Sequence, residues 1–129
     1  MLIFHFLLLF ETWVSGRISI VKGCIIMQNK VKDFNDNRTC HKVPMPVYAR
    51  ILNVESEIGE LAKEYLKNSK YGTQEFVLTG SFKEEYGDVL YSLISLAEEL
   101  GINCDECLEF SLSKLKDRMI KNGNMASKK

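Results

Sequence analysis

Three features of the sequence predict an all-α fold. Two stretches carry apolar residues at alternating spacings of four and three, helix-starting and helix-stopping residues bracket them, and both prolines fall in a single break. In the first stretch Val47, Ile51, Val54, Ile58, Leu61 and Tyr65 recur at 4, 3, 4, 3, 4. In the second, Phe82, Tyr86, Val89, Leu93, Leu96 and Leu100 recur in the same rhythm. On a helix such positions line up as a seam that packs against other helices.

Taken in order, residues 1–26 differ from the rest of the chain. Met1 to Phe10 is almost entirely apolar but too short to span a bilayer, which needs about 20 apolar residues. Val14-Ser15-Gly16 offers a signal cleavage site, yet no Lys or Arg precedes the apolar run. Three readings stay open: a signal or membrane-associated segment, an upstream extension ahead of a start at Met27, or an extra element of the fold. Ile18, Ile20, Val21, Ile25 and Ile26 make 17–27 strand-like.

From Met27 the chain is regular, and 27–121 reads as one domain with a polar tail over 122–129. Val31 and Phe34 suggest a first helix over 28–38. Pro44 and Pro46 break the chain between Thr39 and Pro46. The first seam predicts a helix over 47–67, and 68–80 reads as a loop in which 75–78 packs as a short lid. Ser81 followed by Glu84 is a capping box, so a helix starts there and runs to Leu100. Leu90, Ile94 and Ala97 add a second apolar stripe, which marks this helix as central. Gly101 ends it. Asn103 with Glu106 is a second capping box, opening a last helix over 104–121 with Cys104, Leu108, Leu112, Leu115 and Met119 as its stripe.

The chain of 129 residues is long enough for one domain. Its 17 basic and 17 acidic residues balance, so no basic field exists to attract nucleic acid. Cys24, Cys40, Cys104 and Cys107 lack the spacing of a zinc site or a disulfide scaffold. They read as reduced thiols in a reducing compartment, which places the protein in the cytoplasm.

The chemistry lies in two acidic pairs, Glu57 with Glu60 and Glu85 with Asp88. Residues three apart share a helix face, so each pair points one way. Gathered together, four carboxylates repel and resist ionisation. A hard divalent cation such as Mg2+ resolves that conflict, because it takes oxygen ligands. One such pair alone is an ordinary solvated face; two of them, each set within an apolar helix, carry the reading. Each pair also encloses a glycine, Gly59 or Gly87, at a cost of about 1 kcal/mol relative to alanine in mid-helix. Close helix approach or room for a ligand would favour glycine there. Inward carboxylates from facing helices are how helical bundles build divalent-metal sites.

These residues carry a resemblance to a family. Glu57-Ile-Gly-Glu60, a spacer of 24 residues that begins with Leu61, then Glu85-Tyr-Gly-Asp88-Val89-Leu90 resembles the ExxE…ExxD signature of the MazG-like all-α nucleotide pyrophosphohydrolases. Leu96-Ala97 through Leu100-Gly101-Ile102-Asn103 is similar to a further family stretch. The resemblance covers 28–120 and not 1–26. Two departures are Ser56, where many members carry Glu, and Asp117, near a position often Asn. The resemblance implies a helical bundle in which dimerisation completes four helices, as a homodimer or a dimer of dimers. It implies hydrolysis of a (deoxy)nucleoside triphosphate to the monophosphate and pyrophosphate, in a house-cleaning role on the nucleotide pool. Glu57, Glu60, Glu85 and Asp88 would bind Mg2+ and form the catalytic centre.

A triphosphate also needs cations around it. Arg38, Lys83, Lys114, Lys116 and Arg118 are the candidates, while Phe34, Asn37 and Tyr91 are candidates for base recognition, with core packing the competing use of the aromatics. The alternatives are a phosphoribosyl-ATP pyrophosphohydrolase and a non-enzymatic helical interaction module. No membrane partner is expected unless residues 1–26 act as an anchor.

Overall fold

The computed structural model describes residues 26–37 and 45–126. All the regular structure among them is helical, with no strand. We number the helices α1 (26–37), α2 (Val47–Asn68), α3 (Gly80–Leu100) and α4 (Cys104–Asn122). Ile26 and Met27 are helical, which corrects the strand reading at those two positions; a helix nucleated in the polar run from Gln28 extends back over them at little cost. The remainder of that strand reading, and the rest of the N-terminal stretch, lie outside the described residues. No helix among the described residues is long and apolar enough to cross a membrane.

The chain forms two compact units. One is Val31–Ile102; the described residues outside it, 26–30 and 103–126, belong to the other.

In the first unit α2 and α3 pack against each other. Their cross-helix partners fix an antiparallel register: Arg50 with Glu99, Asn53 with Ser92, Glu64 with Ser81, Asn68 with Thr79. All of these partners are polar or charged. The α2 face turned inward carries Asn53, Val54, Glu57, Leu61, Glu64 and Asn68, all half-buried. Ile94 and Ala97 of α3 are its buried apolar residues, joined by the buried hydroxyls of Ser92 and Ser95. The expected seam is therefore only half covered. Val54 and Leu61 of α2, and Phe82, Val89 and Leu96 of α3, are half-buried. Ile51, Ile58, Tyr65, Tyr86, Leu93 and Leu100 remain 46–53% exposed. These two exposed sets recur every seven residues, so each forms a stripe along its helix.

The helix ends follow local chemistry. Pro46 precedes α2 and its carbonyl accepts from the Ala49 and Arg50 N–H groups, at 2.9 and 3.1 Å. Beyond α2, Lys70 and Tyr71 take left-handed backbone angles (φ 45° and 59°), followed by Gly72 at φ 82°. The connection to α3 is anchored rather than loose. Phe76 stacks on Tyr65, with ring centroids 4.8 Å apart, and meets Phe82 edge-on at 5.0 Å.

The start of α3 differs from the expected capping box. Thr79, not Ser81, is the cap: it is extended, and its Oγ1 accepts from the Phe82 N–H at 3.2 Å. The helix thus begins two residues early, at Gly80, and Ser81 is released to bond elsewhere. Gly101 ends α3 in the left-handed conformation expected of it (φ 64°). The C-terminal half of α1 docks on α3 through a T-shaped contact of Phe34 with Tyr91 at 5.8 Å. The Tyr91 hydroxyl donates to Asn35 Oδ1 (2.8 Å), and Asn35 Nδ2 donates to Ser95 Oγ (3.2 Å).

In the second unit α4 opens on Asn103, whose Oδ1 accepts from the Asp105 and Glu106 N–H groups, as the capping signal predicts. The Cys104 N–H donates to Gln28 Oε1 at 3.1 Å. Cys104 and Cys107 sit on the first turn of α4; Cys24 and Cys40 lie outside the described residues.

Candidate metal centre

Antiparallel packing brings the middle of α2 beside the first turns of α3. Glu57 projects from the inward face of α2. Glu85 lies one turn beyond Ser81 on α3, and Asp88 three residues further. One carboxylate oxygen each from Glu57, Glu85 and Asp88 lies within 4.8 Å of the other two. Glu57 and Glu85 are half-buried and Asp88 is exposed, so the cluster opens to solvent on one side.

Burial pushes the Glu85 carboxyl above the ordinary carboxylate range. The Asp88, Glu60, Glu64 and Glu57 carboxylates push it the same way. Glu85 is thus the focus of the acidic field.

Glu60 is not brought into the trio. Its Oε2 accepts from Lys63 Nζ at 2.9 Å on the exposed side of α2, and that bond raises the Lys63 ammonium above its ordinary value. Glu64 is a carboxylate the motif reading left out of the site. It is only 13% exposed, and it accepts from Lys67 Nζ at 3.0 Å and from Ser81 Oγ at 3.1 Å. The Lys67 ammonium, helped by Ser81, holds the Glu64 carboxyl below its ordinary value. The signal was present in the spacing: Glu64 follows Glu57 by seven residues and shares its face.

The site can be tested for fit to a hard cation by its donor set. Three carboxylates offer only oxygen, which suits Mg2+ or Ca2+ and not a soft metal. Neighbouring oxygens on one octahedral Mg2+ at about 2.0–2.1 Å lie about 3 Å apart, so the three carboxylates would draw closer around the ion than their present 4.8 Å. In donor type the residues fit. A methyl group added at Gly59 or Gly87 would meet nothing within 4 Å. Both glycines are exposed, so close approach of α2 and α3 is not what they provide.

The candidate phosphate-binding cations fall in both units. Lys83 is exposed on the first turn of α3. Lys114, Lys116 and Arg118 lie on α4 in the other unit, where Lys114 and Arg118 line a hollow with Asp117 and Lys121. Arg118 Nη1 donates to the Met125 carbonyl at 3.4 Å. Arg38 lies outside the described residues. Of the candidates for base recognition, Phe34 and Tyr91 are engaged with each other, and Asn37 donates to the Asp33 carbonyl.

The chain is 36% identical over 78 residues to the uncharacterized protein YpjD of Bacillus subtilis (strain 168). That match takes in 58% of this chain and spans 66% of the relative's length, just under two thirds. No protein-family model matches the chain, and no solved structure matches it.

Proposed function

We propose that the protein is a magnesium-dependent nucleotide pyrophosphohydrolase of the MazG-like kind, cleaving (deoxy)nucleoside triphosphates to the monophosphate and pyrophosphate. The observation that carries this reading is the convergence of Glu57, Glu85 and Asp88 from two helices into one solvent-facing cluster. Bound Mg2+ would supply charge neutralisation at the phosphate oxygens and acidify a bound water. Everything else is positioning by the chain's own groups, which dominates phosphoryl-transfer catalysis. Half-buried Glu57 and Glu85, with exposed Asp88, would hold the cation. Glu60 would join them by giving up Lys63, whose exposed ion pair with it is weak. Lys63 and Lys83 are then available to phosphate oxygens.

The same reading includes a homodimer. The uncovered stripes Ile51–Ile58–Tyr65 and Tyr86–Leu93–Leu100 stand on neighbouring helices at heptad spacing. A second copy presenting the same stripes would complete a four-helix bundle. Those stripes also favour a second reading, a non-enzymatic module that binds other helices. One assay separates the two. Purified protein is offered the common dNTPs, the NTPs and phosphoribosyl-ATP, with Mg2+ or with EDTA, and pyrophosphate release is followed. The expectation is release from at least one nucleotide with Mg2+ only, lowered about 10²-fold or more by Asp88→Asn. Release from phosphoribosyl-ATP alone would redirect the substrate assignment. No release from any nucleotide would favour the binding module.

A further inference from the structure

Two polar bonds bracket the carboxylate cluster. Asn53 Nδ2 donates to Ser92 Oγ at 2.8 Å, with Asn53 one turn before Glu57 and Ser92 one turn after Asp88. On the other side Ser81 Oγ donates to Glu64 Oε2 at 3.1 Å, with Ser81 one turn before Glu85. This second bond ends a chain. Asn68 Nδ2 donates to Thr79 Oγ1 (2.8 Å), and the Thr79 and Ser81 hydroxyls are 3.1 Å apart. The interface between α2 and α3 is thus a ladder, with the acidic cluster between hydrogen-bonded rungs.

Rungs of this kind are not the strongest way to hold two helices together. A hydrogen bond contributes about 1 kcal/mol net, and a buried hydroxyl that loses its partner is costly. Ser92 is nevertheless 4% exposed, among the most deeply buried of the described residues, in a position where an apolar side chain would pack. What a hydrogen bond adds over an apolar contact is a fixed distance, since it weakens within a few tenths of an ångström. A fixed helix spacing matters most where ligands from both helices share one ion.

We infer that Ser81–Glu64 and Asn53–Ser92 are positioning pairs that set the α2–α3 spacing at the cluster, and so its preference for the small Mg2+ over the larger Ca2+. The inference rests on the cation reading of the cluster. Mg2+ demands near-ideal geometry at short distances, whereas Ca2+ accepts longer and more variable ones. Loosening a rung should therefore weaken Mg2+ binding and spare Ca2+.

The test titrates the full chain with Mg2+ and, separately, with Ca2+, by calorimetry, in the wild type and in Ser81→Ala, Ser92→Ala and Ser81→Thr. The expected result is a loss of Mg2+ affinity of about tenfold in both alanine variants, as for other groups that orient metal ligands. Ca2+ affinity changes less, so the ratio moves toward Ca2+, and Ser81→Thr, which keeps the hydroxyl, stays with the wild type. Ser81 is exposed, so its variant folds even if Ser92→Ala does not, and it alone suffices for a decision. A lower melting temperature with an unchanged Mg2+/Ca2+ ratio would overturn the inference and leave the cation reading standing. A wild type that binds neither ion would overturn both.

Discussion

Glu85 shows at the residue scale why the acidic cluster is unlike a solvated acidic face. Its carboxyl is raised first by burial and then by four neighbouring carboxylates. A group that binds its proton more tightly when folded favours folding as pH falls, from above its folded pKa down to the ordinary carboxylate value of about 4.3. In EDTA, thermal melts should therefore show stability rising as pH drops through the window just above that value. Glu64 works in the opposite sense, because its carboxyl is lowered: the stability it contributes is lost as pH falls below the ordinary value. Glu85→Gln should abolish the rise and raise the melting temperature at neutral pH in cation-free buffer. The same melts check both statements, and a flat profile in the wild type would contradict them. The i, i+3 spacing pointed to Glu57, Glu85 and Asp88, whose carboxylates the fold brings together. It could not show that Glu60 turns to Lys63, because spacing fixes a helix face and leaves the rotamer to local partners.

The elements were legible to within a few residues wherever apolar period and cap agreed. α4 begins at the capping residue expected, Asn103, and α3 ends at Gly101. Where two capping signals competed, spacing could not rank them. Thr79 and Ser81 both qualify, and the winner is the residue whose backbone is extended and whose hydroxyl reaches the N–H three residues on. Thr79→Ala should cost about 1–2 kcal/mol in denaturant unfolding, since it also strips Asn68 Nδ2 of its acceptor. The Phe76 anchor was not legible. Its partners Tyr65 and Phe82 are 11 and 6 residues away in sequence, and only the folded connection stacks them. Ile94→Ala, at one of the buried apolar positions of α3, should cost about 2–5 kcal/mol in the same unfolding experiment.

At the largest scale, the all-helical character of the described residues followed from period, caps and proline placement together, but the seams were only half explained by one copy of the chain. Period identifies a stripe that wants covering and does not say by what. The six half-exposed residues at heptad spacing are the part left over, and a second copy is the occupant we propose. Light scattering should then give twice the 14.8 kDa chain mass, and Leu93→Glu should reduce it to the single-chain value. The account stands or falls on the acidic cluster as a cation and triphosphate site. Its most direct test is the melting temperature of the wild type and of Asp88→Asn with Mg2+ plus a nonhydrolysable dNTP analogue. At a hundredfold excess over Kd, selective binding stabilises the folded state by about 2.7 kcal/mol. That corresponds to a rise of at least several degrees for a chain of this size. The account predicts that rise in the wild type, requiring both ligands and absent in Asp88→Asn; no rise, or an equal rise in both proteins, would contradict it.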